Sequence, residues 1–157
     1  ADIVGLGMSG DEYQITTPPA DGDGAARSML NAINDAQINP EQIGYINAHG
    51  TGTAANDKTE CAAVADVFGT HADRLMISST KSMHGHLSGG TGAGELLACI
   101  MALRDGVSAP TIGYEEPDPD CALDVVPNVA RDARVTVALS NAFAFGGMNA
   151  VLALRAI

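Results

Sequence analysis

A chain of 157 residues, 46% of them hydrophobic, is long enough to bury one real core, and its composition excludes disordered and collagen-like classes. The 19 acidic residues against 8 basic ones leave a formal charge of −11, which opposes binding to nucleic acid and to anionic membranes over most of the surface. No apolar run reaches the roughly 18 to 20 residues of a membrane-spanning helix, and the start lacks the blocks of a signal peptide, so a soluble cytoplasmic protein is expected.

The opening Ala1-Asp2-Ile3-Val4-Gly5 reads as a strand already under way, running to Met8, and points to a fragment or split subunit. Ser9 to Asp23, with Pro18-Pro19, reads as a loop ending at a helix N-terminus. Ala26, Met29, Leu30 and Ile33 then mark one helical face, which stops before Pro40. Ile43 to Ala48 is a short buried strand, and Asp57 to Phe68 carries Cys61, Val64, Ala65 and Phe68 at helical spacing. The unit repeats as strand Leu75 to Ser79, loop Thr80 to Gly90 and helix Gly92 to Arg104, the last apolar on most sides. Gly106 to Arg134 is a long connection with one short strand. Val135 to Ser140 and Ala150 to Arg155 are β-prone runs joined by a glycine-rich bend, as neighbouring antiparallel strands would be. The fold class is α/β with a mixed sheet covered by helices.

Chemistry concentrates in two histidine-bearing segments, His49-Gly50-Thr51-Gly52-Thr53 and Lys81-Ser82-Met83-His84-Gly85-His86, followed by Asn141-Ala142-Phe143-Ala144-Phe145-Gly146-Gly147. Each histidine follows a strand-like run, in a loop of glycines and small hydroxyl residues where donors can approach a substrate. No cysteine or serine sits in a convincing nucleophile setting, so the chain reads as half of an active site. Cys61, Cys99 and Cys121, without a Cys-x-x-Cys pair, argue against a disulfide framework and fit free thiols in a reducing compartment.

Tyr45-Ile46-Asn47-Ala48-His49-Gly50-Thr51-Gly52-Thr53, Ser79 to His86 and Ser140 to Asn149 together resemble the C-terminal half of β-ketoacyl-acyl carrier protein synthases, members of the thiolase-like condensing enzymes. The likeness extends over nearly the whole chain, from Gly5-Leu6-Gly7-Met8-Ser9 to the Thr111, Pro117-Asp118, Asp124 connection. It implies one domain over residues 1–157, half of a five-layered αβαβα fold, with the N-terminal half on other sequence. It also implies decarboxylative Claisen condensation: an acyl chain on a cysteine is attacked by the carbanion left when malonyl carrier protein loses carbon dioxide. Carried over residue by residue, His49 and His86 become the neutral imidazole donors to the thioester enolate, Lys81 the ammonium that keeps them uncharged, and Glu95 its partner. Phe143 becomes the gatekeeper whose backbone N–H completes an oxyanion hole, and Thr51, Thr53 and Phe145 line the substrate. Ala144 and Met148 depart from the family's common Gly and Thr. No cofactor and no catalytic metal are implied, although Asn47, Glu95, Ser140 and Asn141 surround a structural cation in some members.

The resemblance further implies an acyl carrier protein as partner, the N-terminal half and its nucleophilic cysteine, and a dimer of the complete enzyme. Since carrier proteins are acidic, the −11 charge puts their basic docking patch on the other half, away from Arg27, Arg104 and Arg131. Three rivals stand beside this reading. One is a non-catalytic subunit like the chain-length factors of polyketide ketosynthases. A phosphate loop at Gly89 to Gly94 lacks the Gly-Lys-Ser/Thr ending, so close loop packing is expected there. A zinc site of His49, His84 and His86 would suffer from Lys81 beside it, and His84 is left to shape the loop.

Overall fold

The computed structural model describes residues 1–132 and 134–157, in which a five-stranded mixed sheet has helices on both faces. β1 (Asp2–Gly10) forms one edge, antiparallel to β7 (Met148–Arg155). β7 pairs antiparallel with β6 (Val137–Ala144), and β6, β2 (Tyr45–Asn47) and β3 (Met76–Ser78) run parallel to one another. The order is β1-β7-β6-β2-β3. The expected hairpin and mixed sheet are therefore present.

Helices α1 (Asp23–Asp35) and α2 (Ala54–Phe68) pack on one face of the sheet. Gly5 and Gly7 let the backbone of α1 rest directly on β1: a Cβ on Gly7 would run into the Ser28 carbonyl. The buried stripe of α1 is Ala25, Ala26, Met29, Ala32 and Ile33, while Leu30, expected inside, is exposed at the margin. On α2 the inward residues are Thr59, Glu60, Ala63, Val64 and Phe68. Ala65 is exposed and Cys61 only half-buried, because a buried carboxylate, Glu60, turns the face by one position from the one apolar spacing suggests.

On the opposite face, α3 (Lys81–His84) is a single turn after β3, and α4 (Thr91–Asp105) packs Cys99, Ala102 and Leu103 against Tyr45, Ala138 and Leu154. Its outer side is apolar too, with Leu97 61% and Met101 53% exposed. Across the uncovered part of that sheet face, exposed Leu6 and Met8 of β1 stand opposite Leu152 and Ala150 of β7.

Among its described residues the long connection holds two short strands where one was expected: β4 (Val107–Ser108) pairs antiparallel with β5 (Arg131–Asp132). It also overturns the expectation of three free thiols. Cys61 of α2 and Cys121 of the connection form a disulfide across 60 residues of sequence, and only Cys99 is free. Nothing in the cysteine spacing signals this pairing, which depends on the connection folding back along α2, where Lys58 Nζ meets Asp120 Oδ2 at 2.8 Å. Cys99 is buried, and burial pushes its thiol up to about 12.

Candidate active site

Because β2, β3 and β6 are parallel, their C-terminal ends deliver His49, Lys81 and Phe143 to the same edge of the sheet. The His49 loop is gripped from α2. His49 N–H and Gly50 N–H donate to the two oxygens of Glu60, each at 2.9 Å, and Asn141 Nδ2 donates to Glu60 Oε1 at 3.0 Å. Burial lifts the Glu60 carboxyl above the ordinary range, while those donors pull it back. Gly50 has φ 41°, and a Cβ there would run into Ser79, whose hydroxyl donates to the Gly50 carbonyl.

The rings of His49 and His86 meet edge to face, with centroids 5.6 Å apart and planes at 86°. Phe143 lies 5.8 Å from His49, ring to ring. His49 is 9% exposed, and its pKa falls from 6.5 to about 3, first through burial and then through Lys81 and His86. It is neutral at pH 7. His86 is exposed, and its Nδ1 accepts the Ser88 backbone N–H at 3.0 Å, with Thr91 Oγ1 at 3.1 Å. A backbone amide can only donate, so the neutral His86 ring carries its proton on Nε2.

Lys81, the first residue of α3, donates to Glu95 Oε1 of α4, and both side chains are buried. Burial raises the Glu95 carboxyl and the Lys81 ammonium lowers it again. The pair ties α3 to α4. Thr53 spends its hydroxyl as N-cap of α2, accepting from Asn56 N–H, and contacts Thr51 Oγ1 at 2.9 Å. Phe143 is half-buried within the β6–β7 ladder, opposite Asn149, whereas Phe145 is 73% exposed in the turn between them. Ala144, the last residue of β6, takes its side chain in extended backbone without difficulty.

His84 engages both ring nitrogens locally, Nε2 with Thr80 Oγ1 at 3.1 Å and Nδ1 with the Gly85 carbonyl at 2.7 Å. Among the described residues no group of three His, Cys, Asp or Glu side chains is placed to hold a metal. In the run Gly89 to Gly94, a Cβ added at Gly90 or Gly94 would meet Leu87, while nothing lies within 4 Å of one added at Gly89 or Gly92. That run forms the short turn before α4 and the first turn of α4 itself. Sequence reasoning missed Glu60, to which Asn141 donates. A carboxylate in register with Ala63 and Val64, at i+3 and i+4, was the available sign.

The model of the family described as "Beta-ketoacyl synthase, C-terminal domain" matches residues 1–115. The chain belongs to that family. It is 54% identical over all 157 residues to nodulation protein E of Rhizobium sp. (strain N33), covering 39% of that protein. To 3-oxoacyl-[acyl-carrier-protein] synthase 2 of Coxiella burnetii (strain RSA 493 / Nine Mile phase I) it is 47% identical over its whole length, covering 38% of the relative. Among solved structures, the ishigamide ketosynthase/chain length factor superposes with a TM-score of 0.95 at 45% identity, over 100% of this chain and 38% of that one. The chain thus has the thiolase-like ketosynthase fold, and it spans about two fifths of the length of the curated relatives it matches. No helix among the described residues is long and apolar enough to cross a membrane.

Proposed function

We propose that this chain is the C-terminal half of a β-ketoacyl-acyl carrier protein synthase, and that it supplies the donors for decarboxylation of a malonyl carrier protein. The observation that carries this reading is the edge-to-face pair of imidazoles at the end of the parallel strands, 5.6 Å apart. His49 is uncharged by burial and His86 has its proton on Nε2 through the Ser88 amide. Loss of carbon dioxide leaves charge on the thioester oxygen, and two N–H groups set beforehand stabilise it without reorganising. The new carbanion attacks an acyl thioester on a cysteine, and the tetrahedral intermediate expels the thiolate. That cysteine belongs to the N-terminal half, as does cover for the exposed His86, since such donors act strongly only where water is excluded.

The two phenylalanines divide their labour. Phe143, fixed in the ladder against His49, forms a wall of the site, and Phe145, standing free in the turn, is the ring able to swing as a gate. This moves gating two residues along from Phe143. A structural cation would find a spare acceptor in Glu95 Oε2, which is buried without a hydrogen-bond partner; Asn47 and Ser140 would hold it with Glu95, whereas the Asn141 amide is spent on Glu60 across the sheet.

The rival reading, a chain-length-factor-like subunit, draws support from the name of the ishigamide complex. The edge-to-face histidine pair and the buried Lys81–Glu95 pair favour catalysis. In the full-length protein, release of carbon dioxide from malonyl carrier protein is expected, and His49→Ala should lower the rate at least about 100-fold, the scale of one lost oxyanion donor. An unchanged rate would remove His49 from the mechanism. A full-length chain with no cysteine at the nucleophile position would favour the subunit reading.

A further inference from the structure

Cys61 and Cys121 have Cα atoms 5.4 Å apart, within the span a disulfide requires. Both are half-buried, so small thiols and disulfides reach them, whereas Cys99 is fully buried behind α4. One contact independent of sulfur joins α2 to the connection, and others shape the turn that carries Cys121. Lys58 Nζ pairs with Asp120 Oδ2, Cys121 N–H donates to the Asp118 carbonyl at 2.9 Å, and Leu123 N–H donates to the Cys121 carbonyl at 2.9 Å. The turn continues into Asp124, whose carbonyl accepts Ile77 N–H of β3 and whose carboxylate pairs with Arg131. On the helix side, the residue next to Cys61 is Glu60, which holds His49 N–H and Gly50 N–H.

We infer that Cys61 and Cys121 are a reversible redox modification site that takes a low-molecular-weight disulfide of the glutathione class as oxidant. One protein thiolate attacks the small disulfide and releases one reduced thiol. The second protein thiolate then attacks the mixed disulfide, closing the Cys61–Cys121 bond and releasing a second reduced thiol. Two protein thiols are oxidised and one disulfide is reduced to two thiols, so electrons and protons balance; excess reduced thiol runs the exchange backwards. Closing the bond fastens the connection to the helix that grips the His49 loop. The inference does not depend on the condensing activity.

The full-length protein is equilibrated in buffers of varied reduced and oxidised glutathione, quenched in acid, alkylated, digested and mapped by mass. Expected is a cross-linked peptide joining Cys61 to Cys121, two hydrogens lighter than its separate parts, rising with the oxidised share and removed by excess reduced glutathione. Reduction should lower Tm by about 5 °C, with no such shift in Cys121→Ser or Cys61→Ala. Both cysteines alkylated across the whole series, glutathione adducts without the internal link, or the same Tm shift in the two variants would overturn the inference.

Discussion

An imidazole meant to donate a hydrogen bond without being a cation is favoured by burial beside an ammonium, and His49 has both. The consequence for stability has a definite sign. Its folded pKa, about 3, lies below the ordinary 6.5, so between those values the unfolded chain binds more protons. Stability from this residue is fully present above about 6.5 and is lost as pH falls towards 3. Urea titrations at several pH values should therefore show the stability gap between the native protein and His49→Asn shrinking on acidification, with Glu60 and Glu95 common to both. For Lys81 and Glu95, removing one partner strands a buried charge. Lys81→Met or Glu95→Gln alone should cost about 3–5 kcal/mol in chemical denaturation, and the double variant less than their sum. That His49 meets His86 and Lys81 meets Glu95 was legible because the segments that carry them form a recognisable pattern. Glu60 was not, because a lone carboxylate on a helix reads as solvated until the fold brings two backbone amides to it.

Strands and helices with a clear period were readable: the β6–β7 hairpin, α4 with its doubly apolar surface, and α1 apart from Leu30. Where period fails, so does reading. The connection between α4 and β6 has no repeating pattern, so its β4–β5 pair and its disulfide to α2 arise only from tertiary contact. The approach of α1 to β1 gives an element-scale test. Gly7→Ala puts a methyl group against the Ser28 carbonyl and the Ala32 backbone, neither of which can yield without shifting the helix. Thermal or urea unfolding should register a loss of about 3 kcal/mol, while Gly10→Ala on the same strand, where nothing lies within 4 Å, should change stability by about 0.5 kcal/mol or less.

For the molecule as a whole, the outer side of α4 and the neighbouring strip of sheet form an apolar surface that a soluble monomer rarely leaves open. Leu6, Met8, Leu97 and Met101 are all at least half exposed. The 157-residue chain on its own should self-associate in sedimentation velocity, and Leu97→Lys with Met101→Lys should shift it towards the monomer with little change in Tm. Unaltered association would mean that another surface joins the copies. The shortest central strand carries a heavier geometric duty than its length suggests. Tyr45, Ile46 and Asn47 are matched on both sides, to Met76, Ile77 and Ser78 and to Ala138, Leu139 and Ser140. A slip of a single residue would invert all three side chains and swing the imidazole beyond Asn47 through half a turn. β2 thus works as a protractor, aiming one ring at another, and divergence in chain length is better absorbed in the bend before Ile43 than within the strand itself.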